Sequence, residues 1–122
     1  MEVVREIVFD APPDEVWEAL TDPERLEEWF ANDVDFDLDR GGVFRWQDGE
    51  VRHAVVEEVE PERRLAIRWW DPSSPEESQV TFTLDETGEG TRLVVTGTAS
   101  AEWAWALEAH AHARRQRLLC AV

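Results

Sequence analysis

A chain of 122 residues and 14.1 kDa has room for one domain of ordinary size. It can hide roughly 65% of its unfolded surface around a single core. It carries 28 Asp and Glu against 12 basic residues, every one of them Arg, for a formal charge of -16. That balance argues against nucleic acid and anionic membranes as partners, because phosphate binding needs a basic stripe and only Arg114, Arg115 and Arg117 cluster. A content of 43% hydrophobic residues, with seven Trp and no Tyr, is too apolar for a disordered acidic tail. The apolar runs are too short to cross a membrane as a helix, and no signal peptide is read ahead of the first strand. The single cysteine, Cys120, has no internal disulfide partner, so the expectation is a cytoplasmic protein.

In chain order, residues 3–9 read as a strand, with Val3, Ile7 and Phe9 on one parity. Pro12 and Pro13 then open a helix, where the first amides have no partners to lose. Asp14 and Glu15 suit the positive end of its dipole. The helix runs to about Leu20, and Asp22-Pro23-Glu24 starts a second, short one that ends with Trp29 and Phe30. From 33 to 99 the period becomes two. Val34, Phe36 and Leu38 alternate with Asp33, Asp35, Asp37 and Asp39, and Gly41-Gly42 marks a turn. Phe44 and Trp46 share a face, and Asp48-Gly49 is a hairpin signal. Strands follow at about 51–60, 64–70, 78–85 and 91–98, most with one apolar and one polar face, as in an antiparallel sheet covered on one side. Residues 101–120 are Ala-rich and helical. Trp103, Leu107, His110, Arg114 and Leu118 fall on one face of that helix, and Trp105, Glu108, His112, Arg115 and Leu119 on the other.

This order predicts an α+β helix-grip fold over residues 1–122 as one domain. A curved antiparallel sheet of six to seven strands wraps a long C-terminal helix, with two short helices after the first strand. The segment Ala11 to Leu26, followed by Trp29-Phe30, resembles the opening of the START-like (SRPBCC, Bet v 1-like) superfamily. Within it, the chain is most similar to homologues of the C-terminal domain of the heat-shock-protein-90 ATPase activator. Gly41-Gly42-Val43-Phe44 resembles a family hairpin, and Glu58-Val59-Glu60-Pro61-Glu62-Arg63-Arg64-Leu65 a family connection. Ser78 to Leu84 with Gly90 to Thr96 resembles the closing hairpin, and Trp103 with Leu107 the start of the last helix. Ala54 stands where the family often has Gly, His110 stands where an apolar residue is usual, and the loop before Trp103 is short.

The resemblance implies a cavity between sheet and C-terminal helix, holding an apolar or aromatic small molecule. Its expected lining is Trp17, Trp29, Phe30, Phe44, Trp46, His53, Trp69, Phe82, Trp103, Leu107, His110 and Arg114. Flat aromatic walls with a few polar groups suit such a ligand, and they equally suit a filled core. His53 and Glu57 share a parity with Val51, Val55 and Val59, but Ala54 and Val56 make the other parity nearly as apolar, and a bulge would exchange the faces. No nucleophile with an activating partner is legible, so no catalytic residue is assigned and binding without catalysis is the leading expectation. One alternative is an enzyme similar to polyketide cyclases and aromatases, with His53, Glu57, His110 and Arg114 moving protons. Another is a co-chaperone-like interaction module, with Trp105 and Leu119 on the outer face of the helix meeting a chaperone or a second copy. No cofactor or metal is expected. His110 and His112 point apart on a helix, and the Asp37, Asp39, Gly42, Asp48 spacing has strands, not helices, at its flanks.

Overall fold

The structure, a computed structural model of the chain, describes residues 4–88, 90–98 and 103–109. Strand β1 (Arg5–Phe9) leads into helices α1 (Pro13–Thr21) and α2 (Pro23–Trp29). Six strands follow: β2 (Asp33–Asp37), β3 (Gly41–Arg45), β4 (Val51–Glu60), β5 (Arg64–Trp70), β6 (Glu77–Thr87) and β7 (Gly90–Thr96). Residues 103–109 form a further helix, α3.

Pro13 opens α1 with Asp14 and Glu15 in its first turn, and Asp22 ends it by donating its N–H to the Glu18 carbonyl at 2.9 Å. The same Asp22 starts α2, its side chain accepting the Glu24 N–H at 3.0 Å ahead of Pro23. One residue therefore closes one helix and caps the next, which explains the sharp break between them.

The seven strands form one antiparallel sheet in the order β1-β7-β6-β5-β4-β3-β2. From β2 to β7 the chain is a simple meander, and α1 and α2 carry it from β1, at one edge, to β2, at the other. Alternation sends Ile7, Phe9, Val34, Phe36, Phe44, Ala54, Leu65, Ile67, Trp69, Val80, Phe82, Leu84, Leu93 and Val95 to one buried face. Leu20 and Leu26 from the first two helices join them, as do Trp103, Ala104 and Leu107 from α3. At about 25 cal/mol per Å² of apolar surface this burial is the main term favouring the fold. The α+β architecture and the sheet agree with the sequence expectation. The long terminal helix expected over 101–120 is seen as helix at 103–109, and its remainder lies outside the described residues.

The expected turn at Gly41-Gly42 is not there. The chain reverses over Leu38–Arg40, where Asp37 accepts the Asp39 N–H on its side chain at 2.8 Å and the Arg40 N–H on its carbonyl at 3.1 Å. The Asp side chain supplies the turn, as Asx turns do, and the glycines serve the strand instead. Gly41 sits at φ 127°, and a Cβ there would run into the Ala54 carbonyl of β4. A Cβ on Gly42 would run into the Asp35 carbonyl of β2. The two glycines let the backbones of β2, β3 and β4 approach closely. Gly42→Ala should therefore lower stability by roughly 2–4 kcal/mol in chemical denaturation, whereas Gly88→Ala, with open space around its Cα, should change it by about 0.5 kcal/mol or less. Equal midpoint shifts for the two variants would contradict this account.

Candidate functional site

Seven of the residues expected to line a cavity meet in one aromatic cluster on the inner face of the sheet. The Trp103 ring of α3 is its hub, with centroids 4.2 Å from Phe30, 5.1 Å from Trp69, 5.3 Å from Phe82, 5.6 Å from Phe44 and 6.1 Å from Trp29. Phe30, just after α2, also touches Trp29 at 5.1 Å and Trp46 at 5.3 Å. Most of these pairs are tilted or edge-to-face, the arrangement the ring quadrupole favours. Phe36, which the sequence places on the same parity as Val34, joins through Phe44 at 5.5 Å.

Backbone carbonyls fix two of the indoles. Trp29 Nε1 donates to the Ala19 carbonyl of α1 at 2.8 Å, and Trp46 Nε1 donates to the Phe30 carbonyl at 2.8 Å. The Trp103 indole differs: the residue is 0% exposed and its Nε1 has no hydrogen-bond partner among the described residues. A buried, unpaired donor costs about 1–3 kcal/mol, so such groups call for a water or ligand acceptor. Phe44 and Trp103 lie deep, whereas Trp29, Phe30 and Trp46 are half-buried and form the outward end of the cluster.

Of the remaining expected residues, Trp17 is buried on α1, which packs against β6 and β7, and Leu107 is buried one turn after Trp103. His110 and Arg114 lie outside the described residues.

His53 does not line the interior. Register pairs it with Val43 and Trp70 on the outer face, its ring 5.8 Å from that of Trp70, while Ala54 points inward opposite Gly42 and Trp69. Glu57 is outside as well, with Gln79 Nε2 3.5 Å from its Oε1. The physical reason is a β-bulge between Val56 and Glu58. Val56 faces inward with Ile67, Glu57 is the extra residue, and Val59 shares a face with Leu65. The parity on which His53 was grouped with Val59 does not survive the bulge.

The sequence reading missed the polar end of the inner face. Arg52 pairs with Phe44 and therefore shares its face. Its Nη1 lies 2.6 Å from Glu50 Oε2 and 3.5 Å from Asp71 Oδ2. Two hydrogen bonds from Ser73, the backbone N–H first and then the hydroxyl, hold the Asp71 carboxyl below the usual carboxylate range against the opposing effect of burial, and the Arg52 charge adds a lesser lowering. Only the β3–β4 register reveals Arg52, because its own strand pattern does not. A separate open recess of about 390 Å³ lies among Asp35, Asp37, Arg40, Gly41, Gly42 and Ala54, with no aromatic wall. No group of three His, Cys, Asp or Glu suited to a metal occurs among the described residues. No helix among them is long and apolar enough to cross a membrane.

An antiparallel seven-stranded sheet with helices on one face and an aromatic cluster beneath them is consistent with the helix-grip fold of START-like (SRPBCC) domains. A model of the family described as activator of Hsp90 ATPase homolog 1-like protein matches residues 10–116, and the chain belongs to that family. It is 33% identical over 92 residues to the activator of 90 kDa heat shock protein ATPase homolog 1 of Mus musculus. That match takes in 73% of this chain and 27% of the relative, so the chain spans about a quarter of the relative's length. Among solved structures, protein MLL2253 of Mesorhizobium loti is 30% identical with a TM-score of 0.76, over 88% of this chain and 92% of that one. DynU16, from the dynemicin biosynthetic locus, is 31% identical with a TM-score of 0.71, over 89% of this chain and 42% of that one.

Because the folded-state value of Asp71 lies below the unfolded one, its stabilising effect is present above about pH 4 and is lost as pH falls through the lowered value. In an NMR carboxyl titration, Asp71 should titrate below the ordinary aspartate value. Ser73→Ala should move its midpoint partway back up, since the backbone bond remains. An unmoved midpoint would remove the hydroxyl from the account.

Proposed function

We propose that this chain binds a small aromatic molecule bearing a hydrogen-bond acceptor, seated against the aromatic cluster between sheet and α3, and that it does so without catalysis. The observation that carries the reading is Trp103 Nε1, a buried donor set among tilted and edge-to-face rings and without a partner among the described residues. A ligand carbonyl or ether oxygen would pair it, and the half-buried Trp29, Phe30 and Trp46 would offer flat apolar surface to the rest of the molecule. The likeness to DynU16 gives the reading a neighbour from a biosynthetic locus. The cyclase-like alternative finds less support. Of its four proton-handling candidates, His53 and Glu57 sit on the outer side, and the only buried polar side chain among the described residues is Thr91, which donates to the Ala11 carbonyl at 2.8 Å.

The test compares 2-acetylnaphthalene with 2-ethylnaphthalene by Trp fluorescence titration, in the wild type and in Trp103→Phe. The wild type should prefer the ketone by about tenfold, the worth of one hydrogen bond to a buried group. Trp103→Phe should abolish that preference while keeping the fold. A preference that persists in the variant, or no binding of either probe, would sink the reading.

A second reading rests on Trp105. It is 77% exposed on the helix whose Trp103 is 0% exposed, so one face of α3 presents an indole to the outside. With the family membership, this supports a contact with a chaperone ATPase of the 90-kDa heat-shock class. Trp105→Ala should leave the melting temperature within about 1 °C of wild type, because an exposed side chain adds little to stability. It should reduce stimulation of that ATPase at least about tenfold, as loss of an interface Trp does. Equal stimulation by variant and wild type would exclude Trp105 as the contact.

A further inference from the structure

The aromatic cluster ends in a charged rim that the sheet register builds. Phe44 is paired with Arg52, so both face inward. His53 is paired with Trp70, which puts the next positions, Arg52 and Asp71, opposite each other on the inner side. Glu50 reaches the same guanidinium from two residues before Arg52. Trp46 and Trp69, at a centroid distance of 6.1 Å, belong to the same end of the inner face.

The charges at this rim do not cancel. One guanidinium, 21% exposed at its side chain, meets two carboxylates, one at 2.6 Å and one at 3.5 Å. A free Arg fork would take a ligand carboxylate through two parallel N–H···O bonds. Glu50 and Asp71 hold this one, so an incoming carboxylate must displace one of them and face the repulsion of the other. The chain's formal charge of -16 adds a field of the same sign. At the inner end of the cluster the donor without a partner among the described residues is a neutral indole N–H, which needs an acceptor but does not need a charge.

We infer that the ligand of the aromatic cluster is an uncharged, carbonyl-bearing aromatic molecule, and that the Glu50–Arg52–Asp71 rim is the element that rejects its carboxylate analogues. This inference rests on the binding reading above and deepens it by naming what sets charge selectivity. Arg52 acts there as a masked cation whose selectivity is set by its two carboxylate partners.

The test uses 2-acetylnaphthalene and 2-naphthoate, similar in size and differing in charge. Wild type should bind the ketone at least about tenfold more tightly than the carboxylate. In Glu50→Gln/Asp71→Asn, the Asn side-chain oxygen still accepts the Ser73 N–H, and Arg52 is unmasked. There the preference should narrow to about threefold or less, through tighter naphthoate binding, with ketone affinity changed by about twofold at most. Adding Arg52→Gln should restore the wild-type preference. The single variants Glu50→Gln and Asp71→Asn should fall between, and they carry the test if the double variant does not fold. If the ketone binds but the ratio is the same in wild type and unmasked variants, the rim inference falls and the binding reading stands. If neither probe binds the wild type, both fall together.

Discussion

The requirement to keep a set of large aromatic rings out of water governs this molecule. Phe30 and Trp103 touch at 4.2 Å, and between them they bring together α2, α3, β3, β5 and β6. Each ring offers 150–250 Å² for burial, and truncating a Trp or Phe at such a position costs about 3–5 kcal/mol. Few other contacts reach so many elements at once. The indole hydrogen bonds of Trp29 and Trp46 then fix where the helix pair sits, because one ends on α1 and the other on the residue that caps α2. Apolar burial thus gathers the elements, and two directional bonds set their positions.

The same constraint explains why the acidic excess is tolerable. The aspartates of β2 alternate outward while Val34 and Phe36 turn inward. Arginines of β5 and β7 form ion pairs on the outer face: Arg64 with Glu58 at 3.0 Å, Arg68 with Glu77 at 3.7 Å, and Arg92 with both Asp85 at 3.5 Å and Glu6 at 3.9 Å. These side chains are about half exposed, so each pair is worth at most about 1 kcal/mol and is weakened by salt. Their placement limits repulsion among neighbours and keeps the outer face hydrated. The pair network around Arg52 differs because it sits at the end of the inner face, beside the rings, where a charge affects what can approach them.

The polarity pattern alone makes much of this legible. Strict alternation in β2, β5, β6 and β7 marks the inward residues without ambiguity, and Trp103 with Leu107 marks the inner face of α3 by helical spacing. Trp69, Phe82 and Trp103 follow from that spacing, and the other four members of the aromatic cluster are expected with them as the lining of the cavity that the family resemblance implies. Errors arose where a local rule met a competing one. Two glycines in a row read as a turn, but the adjacent Asp37 made the turn and the glycines were needed for close backbone approach. In β4 both parities are similarly apolar, so pattern alone did not choose between His53 and Ala54, and the bulge at Glu57 changed the parity partway along the strand.

The sequence by itself determined the class of fold, the order of its elements and the composition of its interior. Each of these follows from interactions between residues near in the chain and from the sorting of apolar side chains away from water. Only the tertiary structure decided the register between strands, and register assigns every ambiguous side chain to one face or the other. It placed His53 outside and put Arg52 opposite Asp71. These outcomes depend on hydrogen-bond pairing between residues distant in sequence, so no local pattern encodes them.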